Sequence, residues 1–315
     1  MPPATPASIV SVKPVTLPDD DRGIDLTLRI SAPLNGRQLP VVLFAHGFGS
    51  SADLYGPLTD YWAAAGFVVI QPTFLDSRTI DLPPDDLRVP GIWRQRVADL
   101  VSVLDHLDQI LATVPGLPDR VADGRIAVAG HSFGGQTAAN LLGLRVDEPD
   151  GSPGSDRTDH RVKAGVLLGT AGRGGDALTP YAAEHLPFLQ VSFEHMATPT
   201  LVVMGDHDAS PLTVLGPEWT ADPYHLSPGP KSLLTVHGGE HFLGGIAGYE
   251  AVENTDPDPV RLRLVQEATT AYLRKHLYGD DRAWQELSED LANRGLAAPG
   301  HLRSKLVGRG GSVEL

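Results

Sequence analysis

A series of short apolar runs limits what this chain can become. Pro40-Val-Val-Leu-Phe-Ala45, Phe67-Val-Val-Ile70, Ile126-Ala-Val-Ala129, Ala164-Gly-Val-Leu-Leu-Gly169 and Pro199-Thr-Leu-Val-Val-Met204 are nearly free of polar residues. A strand with one wet face alternates apolar and polar side chains, whereas an unbroken apolar run suits a strand covered on both faces. Lys231 to Val236 reads as one further strand. Between the runs lie helical patterns. Ala52 to Ala65 has helical apolar spacing and stops at Gly66. Within Ile92 to Thr113, residues Val97, Leu100, Val101, Leu104, Leu107 and Leu111 recur at intervals of three and four. Val260 to Leu277 reads as a closing helix. This alternation predicts an α/β fold with a mostly parallel, doubly wound sheet of about eight strands. Ile9 to Leu17 and Ile24 to Ala32 flank the turn Pro18 to Gly23 and predict an antiparallel hairpin at the sheet edge.

Ligands of such sheets gather at the carboxyl ends of the strands, and the suggestive motifs all fall there. They are His46-Gly-Phe-Gly49, Gly130-His-Ser-Phe-Gly134, Gly205-Asp-His-Asp208 and His237-Gly-Gly-Glu-His241. Gly130, Ser132 and Gly134 match G-x-S-x-G between an apolar strand and the helix-forming run Gln136 to Gly143, which is the context of a nucleophile elbow. A serine hydroxyl attacks only when a base takes its proton and the backbone holds it in reach of substrate. Ser132 is therefore the candidate nucleophile, although a serine there could also simply cap the helix. His237 and His241 are both candidate bases, and Asp206 and Asp208 both candidate acids. His46 and His131 read as structural.

The 315 residues include no cysteine and carry a formal net charge of −14. Cysteine nucleophiles, thiolate metal sites and disulfide frameworks are thereby excluded. The acidic balance argues against nucleic acid or an anionic membrane as partner. No apolar run approaches the ~18 residues of a membrane span. Met1 to Ser8 lacks the basic start and apolar core of a secretory signal, so a cytoplasmic location is expected. Residues 1–279 read as one catalytic domain, and 280–315 as a tail that packs on it or is partly disordered. No cofactor and no metal are expected, and the oligomeric state is open.

With these motifs in view, the chain resembles the α/β-hydrolase superfamily over about Ile9 to Leu277. The order serine, acid, histidine is that superfamily's order. Arg94-Gln-Arg-Val-Ala-Asp-Leu-Val-Ser-Val-Leu-Asp105 ahead of the elbow looks like the predicted dienelactone-hydrolase group. That group is similar in turn to chlorophyllases, platelet-activating-factor acetylhydrolases and polyester-cleaving esterases. Dienelactone hydrolases proper use cysteine, so the resemblance here implies a serine carboxylesterase. It implies His241 as general base, from a Gly-x-x-His loop, and Asp208 as orienting acid, from Gly-x-x-Asp, with Asp206 as runner-up. It implies oxyanion donors at the backbone amides of Phe48 and Phe133. Ser132 argues against dehalogenase and epoxide-hydrolase chemistry, which place an aspartate at the elbow.

The implied substrate is a small, medium or extended ester. Lactone, thioester and polyester cleavage by the same mechanism is the alternative. Trp93, Trp219, Tyr224 and Phe242 are candidate pocket residues, as are the side chains of Phe48 and Phe133, and no large lid insertion is apparent before Asp208. Two remoter readings remain. His237, Glu240 and His241 spell the H-x-x-E-H zinc motif, but zinc binding needs both histidines on one face of a helix, and the paired glycines disfavour a helix there. A non-catalytic binding protein of the same fold is the other.

Overall fold

The computed structural model describes residues 7–20, 22–148, 150–249, 251–306 and 313–314. Its centre is a ten-stranded sheet in the order β1-β2-β4-β3-β5-β7-β9-β10-β11-β12. The strands are β1 (Ile9–Leu17), β2 (Leu26–Pro33), β3 (Leu39–Ala45), β4 (Val68–Thr73), β5 (Val121–His131), β7 (Val162–Leu168), β9 (Thr200–Gly205), β10 (Lys231–Val236), β11 (Gly300–Leu306) and β12 (Val313–Glu314). The two-residue strands β6 (Arg145–Val146) and β8 (Val191–Ser192) pair separately. From β4 to β10 neighbouring strands run parallel. The N-terminal hairpin is antiparallel and joins the sheet through β2 and β4.

The unbroken apolar runs are explained by two core layers. Alternate residues of a strand face opposite sides of the sheet. Val41, Leu43 and Ala45 enter one layer, against helices α2 (Ile92–Asp105), α3 (Leu107–Leu111) and α4 (Phe133–Leu141). Val42 and Phe44 enter the other, against α1 (Gly56–Ala64), α7 (Pro259–Tyr278) and α8 (Arg282–Arg294). Short helices α5 (Pro180–His185) and α6 (Asp222–Leu226) lie in the connections on either side of β9.

The start and stop of α7 follow from local chemistry. Asp258 accepts the Val260 and Arg261 amides, Pro259 occupies the first turn, and Gly279 ends the helix at φ 71°. The single helix expected over Ile92 to Thr113 is instead two. His106 leaves helical geometry at φ −109° and ψ 20°. Its ring and its amide both lie against the Ser102 carbonyl.

The sheet exceeds eight strands because the C-terminal segment adds to it. β11 pairs antiparallel with β10, Gly300 opposite Val236. Trp284 and Leu291 of α8 are buried, with the Trp284 ring 5.2 Å from Tyr272. Burying an apolar side chain of this size contributes roughly 1.5–3 kcal/mol. Residues 307–312 and 315, the end of the tail, lie outside the described residues. No described helix is long and apolar enough to cross a membrane.

Candidate active site

Ser132 follows the last residue of β5 and precedes the first of α4. Its backbone sits at φ 55° and ψ −124°, a region costly for a residue with a side chain and populated mainly where the surroundings enforce it. Those surroundings are backbone. A Cβ at Gly130 would lie 2.2 Å from the Gly134 carbonyl oxygen, and one at Gly134 would lie 2.0 Å from that of Ala45. The Ser132 amide donates to Leu168 at 2.9 Å, and the Ser132 carbonyl accepts from Thr170 Oγ1 at 3.1 Å. The turn is thus wedged between β3 and β7.

The loop after β3 lies against the same serine. A Cβ at Gly47 would stand 3.6 Å from the Ser132 Cβ. Three amides of this loop are already used: Gly47 donates to Tyr55 Oη, Gly49 to Asp76 Oδ2 and Ser50 to the Gly47 carbonyl. Among the described residues the Phe48 amide meets no acceptor, and neither does that of Phe133. Two free N–H groups flanking a serine are what a developing oxyanion requires.

On the other side, His241 Nδ1 lies 3.0 Å and 3.2 Å from the two carboxylate oxygens of Asp208. Asp208 is 2 % exposed and His241 38 %, so the carboxylate is dry and the ring opens to the cleft. Asp206 does a different job. Its Oδ1 accepts the Gly238 amide at 2.6 Å and shapes the turn after β10. The His241 loop is held from below by Asp256, whose Oδ2 accepts the amides of Glu240 and Gly244 at 2.9 and 3.0 Å. No hydrogen bond joins Ser132 Oγ to His241 Nε2 here; such bonds are often long before substrate arrives.

His131 ties these parts together. Its Nε2 lies 2.8 Å from the His241 carbonyl, which can only accept, so Nε2 carries the proton. Nδ1 then accepts from Tyr55 Oη at 2.9 Å. Burial first, and the neighbouring His241 second, hold the His131 pKa well below the usual histidine value. Tyr55 is pushed up to about 12, mainly by burial. His46 is lowered to about 3, by burial and then by Arg96. Both His46 and His131 are therefore neutral at physiological pH.

The expected pocket residues separate. Phe242 is half-buried and stands beside the site, its ring 5.6 Å from His241 and 5.0 Å from His131. Phe48 is 69 % exposed, 6.3 Å from the Phe133 ring. Trp93, Trp219 and Tyr224 are each buried, in different apolar clusters. Trp93, in the first turn of α2, packs into the layer of core on that side of the sheet, and the Trp219 indole donates to the Arg173 carbonyl at 2.9 Å. Large aromatic surface goes where it removes most area from water, and these three found core positions. Phe188, which the sequence did not single out, lies 4.9 Å from Phe133 beside the elbow. Tyr55, Asp76, Arg96 and Asp256 were also missed as parts of the site. Only Arg96 had a visible signal, since it lies inside the 94–105 segment that carried the resemblance.

The zinc reading finds its residues apart. His237 contacts the Ala298 carbonyl and His301, whereas His241 contacts Asp208. The intervening residues form turns and not a helix.

The alpha/beta hydrolase family model matches residues 42–310. The chain belongs to that family. No curated protein matches it. Membership agrees with the sheet order and with the serine at the β5–α4 turn, and it points to hydrolase activity on a small molecule.

Proposed function

We propose that this hydrolase is a serine carboxylic-ester hydrolase working through an acyl-enzyme. The observation that carries the reading is the buried Asp208 on Nδ1 of a half-open His241, whose ring lies 4.7 Å from that of His131, the residue just before a serine held at positive φ. Ser132 Oγ attacks the ester carbonyl carbon while its proton passes to His241 Nε2. The carbonyl oxygen becomes an oxyanion facing the Phe48 and Phe133 amides. Collapse breaks the bond to the alcohol, which leaves with the proton from Nε2. Water then attacks the acyl-serine, again losing its proton to His241, and the second collapse returns Ser132 and releases the acid. Asp208 fixes the Nδ1–H tautomer and stabilises the imidazolium.

The exposed Phe48 side chain and the short connection between β7 and Asp208 favour small, medium or extended esters. Lactones, thioesters and polyesters remain substrates for the same chemistry, and a chain-length panel with these added ranks them. Ser132→Ala tests the central claim. Cleavage of p-nitrophenyl butyrate should fall by at least ~10³-fold with the thermal midpoint preserved, and a fluorophosphonate should label Ser132 by mass mapping. An active Ser132→Ala protein would refute the assignment.

A further inference from the structure

The two proposed oxyanion donors come from different loops, and nothing covalent sets the distance between them. Phe48 belongs to the loop after β3, Phe133 to the start of α4. A hole of this kind works only when its donors are held within about 0.5 Å of the productive geometry. One side chain reaches both. Arg96, on α2 and 1 % exposed, donates through Nη1 to both oxygens of Asp76 at 2.8 Å. Through Nη2 it donates to the His46 carbonyl. Through Nε it donates to Thr137 Oγ1 at 3.0 Å, and Thr137 donates in turn to the Phe133 carbonyl at 2.9 Å. Its guanidinium lies between two rings, 4.1 Å from Phe74 and 4.5 Å from Phe133. Asp76 completes the frame by accepting the Gly49 amide at 3.1 Å.

The Gly47–Phe48 peptide, which carries the Phe48 N–H, therefore lies between two anchored units, held at the His46 carbonyl and at the Gly49 amide. The Phe133 residue is held just past its N–H, at its carbonyl and its ring. One buried ion pair does both. Asp76 is burdened by burial, yet the Arg96 charge first, with hydrogen bonds from the Gly49 amide and from Arg96, keeps its pKa below the usual carboxylate value. It is thus an anion, and the pair is charged. A buried pair is not in general a stabiliser, since dehydrating two charges costs much of what their attraction returns, and apolar replacements are often as stable. The orientation of five rigid donors is what such a pair supplies that apolar residues do not.

The protein contains its own comparison. Arg22 and Asp99 form a second fully buried pair, at 3.1 Å, and Arg22 reaches the carbonyls of Ile24, Asp25 and Thr73. That pair touches neither the elbow nor the loop after β3. Arg96 and Asp99 both come from the segment Arg94 to Asp105, so one helix carries a member of each pair.

We propose that Arg96 and Asp76 are a positioning pair that sets the separation of the Phe48 and Phe133 amides. The inference rests on the ester-hydrolase reading above. Its test is a comparison of Arg96→Lys, Asp76→Asn and Thr137→Val with Asp99→Asn, in steady-state ester hydrolysis and in inhibition by a trifluoromethyl ketone. That inhibitor's hemiketal oxyanion occupies the hole. The first three variants should lower kcat about 10- to 100-fold with KM changed less than about threefold. Their Ki for the ketone should rise by the factor that kcat/KM falls. Asp99→Asn should lower the thermal midpoint and leave kcat and Ki within about twofold. Thr137→Val exposes no buried charge, so it carries the test if the ion-pair variants do not fold. Wild-type kcat and Ki in Thr137→Val and in whichever ion-pair variants fold would overturn the proposal. So would an Asp99→Asn variant with the same catalytic loss. If Ser132→Ala retained activity, the ester-hydrolase reading itself would fail, a separate outcome.

Discussion

Two histidine rings meet beside the elbow, and only one of them is open to solvent. His131 lies with its ring centre 4.7 Å from that of His241. A positive charge there would oppose the imidazolium that His241 must carry in the proposed cycle. Burial removes that conflict by keeping His131 neutral, and the Tyr55 hydroxyl fixes its tautomer. Tyr55→Phe strands the Gly47 amide and His131 Nδ1 in a dry setting. Each such unsatisfied group costs roughly 1–3 kcal/mol, so chemical denaturation should report a loss of about 2–6 kcal/mol for the two, with kcat reduced as well. Asp208→Asn should leave the fold intact and lower kcat by about 10³- to 10⁴-fold, because an amide cannot favour the Nδ1–H tautomer or stabilise the imidazolium. Pre-steady-state release of p-nitrophenol measures it; a loss of only a few-fold would remove Asp208 from the proposed role.

At the scale of elements, glycine lets the loop after β3 and the elbow turn after β5 approach each other. The turn after β5 reaches its geometry because β3 and α4 approach without side chains between them. Gly134→Ala would drive a Cβ to 2.0 Å from the Ala45 carbonyl oxygen, and to 2.5 Å from that of His46. Backbone cannot step aside as a rotamer can, so this substitution should cost at least the ~1–3 kcal/mol typical of overpacking. Gly91→Ala is the matched control, since nothing lies within 4 Å of its Cβ position. Thermal melts of the two should differ clearly, and equal melts would show that the elbow relaxes. The His241 loop is built on another plan. Its residues are held by the carboxylates of Asp206 and Asp256 and by Arg261 Nε on the His237 carbonyl at 2.9 Å.

For the molecule as a whole, buried histidines set the response to acid. His46 is lowered to about 3 and His276 to about 4, each mainly by burial, and His131 is lowered too. In the unfolded chain each titrates near its ordinary value of about 6.5. Between these limits the unfolded chain binds more protons than the folded one, so stability rises with pH and is lost as pH falls. The contribution is fully present above about pH 7 and is lost progressively as pH drops from about 6.5 toward 4. Most carboxylates stay ionised over the upper part of that window, so the histidines dominate there. The thermal midpoint at pH 5 should lie below that at pH 7.5, and a flat profile across that interval would contradict the buried neutral state of these rings.

The alternation of apolar runs with helical patterns, the G-x-S-x-G turn and the Gly205-Asp-His-Asp208 and Gly239-Glu-His241 strand ends were legible in the chain alone. Each depends on neighbours in sequence: side-chain period, turn geometry or a residue's place just past a strand. The destinations of the aromatics were not legible, because composition cannot say which ring faces a cleft and which a core. Nor was the tenfold sheet, since the polar-looking β11 becomes a strand only by pairing with β10. The framework behind the site was hidden for the same reason. Arg96 meets Asp76 across 20 positions, Tyr55 meets His131 across 76, and Trp62 donates to Thr269 across 207. Local pattern names the candidate residues; only the folded chain decides what holds them in register.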